Sequence, residues 1–444
     1  MLHKIIFKTV YLLNRPGLIG YFNKFQKTQW LDLQQLQAEQ NRQLRKLVNF
    51  AYQSVPYYTK LFSQLNIRPS DIDAIKDLEK LPILTKKIIR EHWEDLTPIN
   101  IKEMNYLNST TGGSTGVPCR YRMSHEDYKK GVALMYRGWT YAGYNLGDKV
   151  ATIAGSSLIP TIGSSLKNKI QEFGLNIRNY SSYEMSDKNL FKYFCEINKW
   201  RPDFIRGYAS SVYLFARFLK SHNLKLTVRP RAVFTTAEKL FAAQRALTEE
   251  VFDTKVFDTY GLNDGGVSAF ECEKHNGMHI DAERAILETV DEKNKSITGQ
   301  TGKILATDLY NYAMPFIRYD TEDLGIISDT PCSCGRKTFL LKEITGRITD
   351  YLNLNNIIIG SPVLTVLMGK FDIEQYQIIQ NTPSSIVCKI IKGKGYNEAR
   401  DEDLIRKSFY VHVGEIGIKF VYAEFIPVEG IRKYKFIINN VNTI

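Results

Sequence analysis

From Gln34 to Asp95 the apolar positions recur at helical spacing, and Pro56, Pro69, Pro82 and Pro98 fall at the joints between segments. This predicts a mostly helical start over residues 1–104. Between Asn105 and about Gly346 short apolar runs alternate with amphipathic stretches. Lys149–Ala154, Phe204–Tyr208 and Arg231–Thr236 read as strands, and Leu190–Trp200 and Val212–His222 as helices. Alternation of this kind predicts parallel strands covered by helices, with ligands where strands end and helices begin. Beyond Gly346 the texture becomes that of a small ββαββ-like module. Its strands fall around Gln375–Gln380, Ile386–Ile391, Ile416–Phe425 and Tyr434–Asn439, with a charged helix near Asn397–Val411. The fold class is α/β, with a large domain over 1–345 and a small mobile α+β domain over 346–444. The change of texture puts the boundary in Thr345–Asp350.

A chain of 444 residues is long enough for two or three cores. Hydrophobic residues make up 43% and charged residues 24%, the balance of a soluble globular protein, and no apolar run approaches the roughly 20 residues that span a bilayer. The basic, apolar start Met1–Leu13 raises the question of a signal peptide. Lys8 interrupts its apolar core, and Asn14-Arg15-Pro16 stands where a small-residue cleavage site belongs. We read it as a retained helix that packs against the large domain, with peripheral membrane contact as the other expectation. A net charge of +12 suits an anionic partner such as a nucleotide, coenzyme A, an acidic glycan or a membrane face. The basic residues are scattered without any nucleic-acid-binding pattern, so no nucleic acid partner is expected. Six cysteines without a secretory segment fit a reducing, cytoplasmic setting.

The candidate chemistry begins in Ser109-Thr110-Thr111-Gly112-Gly113-Ser114-Thr115-Gly116-Val117-Pro118. Hydroxyls and glycines alternate there, so backbone N–H groups and Ser or Thr hydroxyls can wrap a polyphosphate. It is not a Walker A loop, because Val117 and Pro118 follow Gly116 instead of Lys and Ser or Thr. Four further elements come in order: Thr235-Thr236-Ala237-Glu238, Tyr260-Gly261-Leu262-Asn263-Asp264, Arg318-Tyr319-Asp320-Thr321-Glu322-Asp323-Leu324 and Gly346-Arg347-Ile348-Thr349-Asp350. Together with Ser54–Tyr58, Leu81–Lys86 and the Lys433 region, this series resembles the adenylate-forming superfamily. Within it the chain is most similar to phenylacetate-CoA ligases and the CapK-like capsular-polysaccharide proteins, over nearly its whole length.

The resemblance implies ATP and Mg²⁺ as cofactors and gives each element a role. Thr111, Gly112, Gly113, Ser114, Thr115 and Gly116 would hold the leaving phosphates. Asp264, where relatives usually carry Glu, would ligate Mg²⁺, and Tyr260 would stack on adenine. Asp323 would accept from the ribose hydroxyls, with Glu238 and Gly261 also at the nucleotide. Arg318 or Arg347 would sit near the phosphates. Val117 stands where relatives often place Lys, so cationic help must come from elsewhere, with Arg120 and Arg122 nearby. Lys433, in Glu429-Gly430-Ile431-Arg432-Lys433, would reach the carboxylate and α-phosphate, although Ile431-Arg432 replaces the relatives' Ser-Gly, and Lys435 is the second choice.

A separate constellation joins Cys272-Glu273-Lys274-His275 to Cys332-Ser333-Cys334-Gly335. Cys272, His275, Cys332 and Cys334 offer three sulfurs and an imidazole, a tetrahedral set for structural Zn²⁺, and His279 is a competing imidazole. The alternative is buried thiols beside a turn.

The leading expectation is ATP-dependent activation of a small carboxylic acid through an acyl-adenylate, with transfer to coenzyme A. The segments around Tyr180–Tyr183 and Arg206–Ser211 would line the acid pocket. The CapK-like resemblance keeps open a CoA-independent transfer to a glycan or carrier. A non-catalytic nucleotide-binding scaffold is the third reading. A homodimer also stays open.

Overall fold

The computed structural model describes the chain except residues 1–5, 8, 10, 12–15, 111–118, 156–165, 183–184, 345–350, 356, 361–363, 365–366, 369, 394, 425, 427–436 and 442–444. The chain opens with helices α1 Leu18–Thr28, α2 Leu33–Ser54, α3 Pro56–Leu65 and α4 Lys86–Glu91, then β1 Tyr106–Thr110, β2 Arg120–Ser124 and α5 His125–Trp139. An alternating stretch follows: β3 Val150–Ala154, α6 Leu166–Leu175, β4 Ile177–Ser181, α7 Asp187–Trp200, β5 Phe204–Tyr208, α8 Ala209–Ser221, β6 Ala232–Thr236 and α9 Ala242–Phe252. Strands then run without a helix: β7 Val256–Leu262, β8 Val267–Glu271, β9 Met278–Ile280, β10 Ala285–Val290, β11 Ser296–Ile297, β12 Thr301–Asp308, β13 Tyr319–Ser328 and β14 Leu340–Ile344. The last part holds β15 Tyr351–Leu354, β16 Ile357–Gly360, β17 Ile373–Thr382, β18 Ser385–Lys392, α10 Glu398–Val413, β19 Gly417–Tyr422 and β20 Ile437–Asn439. These elements divide into two compact units, one of residues 1–111, 119–147 and 257–346, the other of 112–118, 148–256 and 347–444.

In the first unit local chemistry sets the helix starts. Asp32 accepts from the Gln35 amide at 2.8 Å to begin α2, Pro56 opens α3, and Ser124 accepts from the Asp127 amide at 3.1 Å to begin α5. The strands run in the order β11-β10-β12-β13-β14-β9-β8-β7, every neighbouring pair antiparallel. This corrects the expectation of parallel strands and helices as far as Gly346. The alternation that marks a one-sided antiparallel strand is absent in β8, whose five residues are all buried, so its pattern does not distinguish it from a parallel core strand. Helices α2 and α3 contribute Leu44, Leu47 and Phe62 to a core with Leu84, Tyr121, Phe316 and Tyr319. Helix α5 is tied to the turn before β10 by charges out of water: Arg284 donates to both Asp127 oxygens at 2.7 and 2.6 Å, and Arg137 pairs with Asp281 and Glu283. At the N-terminus Phe7 and Tyr11 are buried, and the Tyr11 and Tyr136 hydroxyls lie 2.7 Å apart. Those side chains pack against α5, the first of the two roles expected of this segment.

The second unit carries the parallel sheet, in the order β6-β5-β3-β4. Ser186 caps α7, and α7, α8 and α9 contribute Ile197, Phe215 and Phe252 to the core on this sheet. The C-terminal module orders its strands β19-β18-β17-β20, with a β17–β18 hairpin flanked by parallel partners. Helix α10 starts at the Asn397 cap and buries Ile405 and Phe409. The hairpin β15–β16 adds to the strands expected of this module; it places Leu352, Leu354 and Ile359 in one core with Ala154 and Tyr208, the last residues of β3 and β5.

Candidate functional site

In the first unit the end of β7, the turn after it and the start of β13 meet. Tyr260 donates to Asp323 Oδ2 at 2.8 Å, and Tyr319 donates to Asp264 Oδ2 at 2.5 Å. Gly266, in the turn that carries Asp264, has φ +67°, and a Cβ there would collide with the Asp308 carboxyl, so only glycine lets this turn close. Gly261 is exposed, and a Cβ on it would meet nothing within 4 Å. Asp264 is 4% exposed. Burial pushes its carboxyl upward, against the pull of the Lys86 charge and the Tyr319 hydroxyl. Burial, and then the Asp323 charge, push the Tyr260 phenol up as well, which keeps it a donor.

The cation that acts on Asp264 is one that sequence reasoning missed. Lys86, 8% exposed at the start of α4, lies 2.7 Å from Glu322 Oε2. Leu84 brings it there by exchanging backbone hydrogen bonds with β13, through Arg318 O at 3.0 Å and the Asp320 amide at 2.9 Å. The motif segment Leu81–Lys86 already held the signal. The nearby arginines are engaged otherwise. Arg120 and Arg122 lie over Trp93 at 5.0 and 4.3 Å, and Arg122 donates to Thr97 at 2.6 Å. Arg318 is fully buried and donates to Glu288, Leu81 O and Asn294 O. Its donors are taken up within the core, which tells against Arg318 as the one of the two arginines, Arg318 or Arg347, expected near the phosphates.

Glu238 follows β6 in the second unit. Its Oε2 accepts from the Ser210 amide, in the first turn of α8, at 2.8 Å. Burial pushes its carboxyl up to about 7, against the pull of Ser210. Thr111–Gly116, Arg347 and Lys433, like Lys435, lie outside the described residues.

The cysteine constellation gathers in the first unit with one change of ligand. Cys272, Cys332, Cys334 and His279 bring their donor atoms within 4.8 Å of one another. His279 thus takes the place expected of His275, whose Nδ1 lies 3.2 Å from Glu271 Oε2 and whose ring centroid is 4.7 Å from that of Phe257. The reason is strand geometry: His279 sits on β9, paired with Leu340 of β14, and faces the Cys332–Cys334 turn. Tetrahedral bonds of about 2.3 Å imply sulfur–sulfur edges of about 3.8 Å, and Cys272 and Cys332 lie 3.7 Å apart. Cys334 Sγ is 3.2 Å from His279 Nε2, while Nδ1 lies 3.0 Å from the Thr338 hydroxyl. With its proton on Nδ1, that ring donates to Thr338 and leaves Nε2 free to ligate. Burial and then the Arg336 and Arg137 charges push the imidazole down to about 4, so it stays neutral. Burial pushes the Cys272 thiol up to about 12. Burial also acts on Cys334, but hydrogen bonds from the Arg336 backbone and side chain outweigh it and its thiol shifts down. The donor set and spacing fit a closed tetrahedral metal shell.

Comparison with known proteins places these features. Residues 353–440 match the CapK C-terminal domain family. Protein CapK of Staphylococcus aureus is 24% identical over 418 residues, covering 90% of this chain and 89% of CapK. The phenylacetate-coenzyme A ligase of Thermus thermophilus is 26% identical over 362 residues, 79% of each chain. Among solved structures, 2-hydroxyisobutyryl-CoA ligase with 2-HIB-AMP and CoA in the thioesterification state superposes with a TM-score of 0.64 at 16% identity, covering 92% of this chain and 91% of that one. The chain is thus similar over most of its length to CapK and to phenylacetate-coenzyme A ligases, it shares the fold of 2-hydroxyisobutyryl-CoA ligase, and its residues 353–440 match the CapK C-terminal domain family.

Proposed function

We propose that this chain is an AMP-forming acid–thiol ligase that activates a small carboxylic acid with ATP and passes the acyl group to coenzyme A. Similarity to phenylacetate-coenzyme A ligases over about three quarters of the chain, 79% and 76% in two of them, supports the reaction class. The observation that carries it is the Asp264 carboxylate, buried and fixed by Tyr319 beside the Tyr260–Asp323 pair, in the order the family elements require. In the first half-reaction a carboxylate oxygen forms a bond to the α-phosphorus and pyrophosphate leaves. In the second, the thiolate attacks the acyl carbon and AMP leaves with that oxygen.

Asp264 would hold Mg²⁺, which supplies charge neutralisation on the departing phosphates. The Tyr319 hydroxyl fixes the orientation of that carboxylate. The Tyr260–Asp323 pair would meet the nucleoside. Thr111–Gly116 would enclose the phosphates, and Lys433 and Arg347 would bring cationic donors. Use of ATP and coenzyme A favours a cytoplasmic location, and among the described residues no helix is long and apolar enough to cross a membrane. In the first unit, Cys272, His279, Cys332 and Cys334 would hold a structural Zn²⁺ that joins the β8–β9 hairpin to the segment before β14.

Pyrophosphate release over a panel of aryl, fatty and amino acids, with and without coenzyme A, tests the reading. Release that depends on the acid, with coenzyme A consumed, supports it. Acid-dependent release indifferent to coenzyme A moves the acceptor to a glycan or carrier, a second reading favoured by the match of residues 353–440 to CapK. No release with any acid refutes both.

A further inference from the structure

Buried polar atoms without partners concentrate along one edge of the second unit. Of 14 such side-chain atoms among the described residues, five follow or end its parallel strands: Tyr180 Oη, Ser182 Oγ, Ser210 Oγ, Ser211 Oγ and Glu238 Oε1. Native proteins leave few such groups, because a buried polar atom without a partner loses its hydration and gains nothing in return. The carboxyl ends of parallel strands are where open α/β sheets take their ligands.

Three of the five form one group. Ser210 and Ser211 occupy the first turn of α8 and are each 1% exposed. The Ser210 amide holds Glu238 Oε2, which fixes the carboxyl across the start of the helix and leaves Oε1 unpaired. No ion pair reaches Glu238 among the described residues. The set offers an acceptor at Glu238 and two hydroxyls that donate or accept. An unsubstituted alkyl or aryl tail satisfies none of these atoms. A tail hydroxyl satisfies Glu238 with its proton and a serine with a lone pair, and a tail ammonium donates to Glu238 and to the serine oxygens. The C-terminal module shares a core with Ala154 and Tyr208 at the same strand ends.

We propose that the carboxylic acid activated by this chain carries a hydroxyl or amino group, received by Glu238, Ser210 and Ser211. This rests on the adenylation reading above. The test measures kcat/KM for pyrophosphate release with matched acids: 3-hydroxybutyrate and butyrate, alanine and propionate, 4-hydroxyphenylacetate and phenylacetate. At least one donor-bearing acid should exceed its unsubstituted partner by about 100-fold or more, since sites built around a hydroxyl or amine reject analogues that lack it. Ser211→Ala and Ser210→Ala should narrow that ratio at least about tenfold, mainly by slowing the donor-bearing acid. Ser211→Ala should not lower Tm, because the hydroxyl it removes is unpaired.

Equal use of both members of every pair overturns the proposal and leaves the ligase reading standing. It is likewise overturned if Glu238→Gln weakens AMP binding while acid selectivity is unchanged, which would give the carboxyl to the nucleotide. A lowered Tm in Ser211→Ala overturns it too, by showing that this hydroxyl serves the fold. Silence with all six acids while the protein binds ATP removes the adenylation reading and this inference with it.

Discussion

Replacing Glu238 with Gln isolates one burial effect. The carboxyl is raised to about 7 from its ordinary 4.5, burial is the largest cause, and no charged side chain contributes to the shift. The folded protein therefore binds this proton more tightly than the unfolded chain. Its contribution to stability is complete below about pH 4.5 and disappears as pH rises through about 7. That interval, at 1.36 kcal/mol per pH unit, amounts to about 3 kcal/mol. Glutamine keeps an oxygen for the Ser210 amide and never ionises. Glu238→Gln should match wild type near pH 4.5 and gain on it steadily to about 3 kcal/mol at pH 8. Denaturant melts of both proteins from pH 4.5 to 8 measure the difference. A gap that stays constant with pH, or one that favours wild type at pH 8, would refute the argument that burial without a charged partner sets this group's behaviour.

Cys334→Ala and His279→Ala should each lose bound zinc and lower Tm, while His275→Ala keeps its metal, as read by metal analysis of protein purified without chelator. Tyr319→Phe removes the hydroxyl that orients Asp264, so the Mg²⁺ concentration needed for half-maximal pyrophosphate release should rise about 10- to 100-fold, with activity recovered at high Mg²⁺. Arg284→Ala strands the buried Asp127 carboxylate and should destabilise the first unit by about 3–5 kcal/mol in denaturant melts.

Those outcomes depend on features that differ in how openly the sequence displays them. The parallel strands are legible because each short apolar run is followed by an amphipathic helix, as Phe204–Tyr208 is by Ala209–Ser221. The antiparallel half escapes the same reading because strands such as Val267–Glu271, buried on both faces, lose their period of two. Two of the motif elements meet directly through Tyr260 and Asp323, and a second contact joins Asp264 to Tyr319. The motifs alone do not show that Tyr319 holds Asp264 or that Lys86 reaches Glu322, because those contacts follow from Leu84 pairing with β13 across more than two hundred residues. The choice between His275 and His279 turns on strand register, which ligand spacing alone does not encode. The unpaired serines are invisible in the sequence for a similar reason: a serine's partners are set by packing.

The central claim is that a carboxylate oxygen of the substrate attacks the α-phosphorus of ATP. It is tested most directly by supplying an accepted acid labelled with ¹⁸O in its carboxylate and following the label by mass spectrometry. The account predicts pyrophosphate without label and AMP carrying one ¹⁸O per turnover, the other label staying in the acyl product. Label in inorganic phosphate, with ADP as the nucleotide product, would mean attack at the terminal phosphorus and would contradict it.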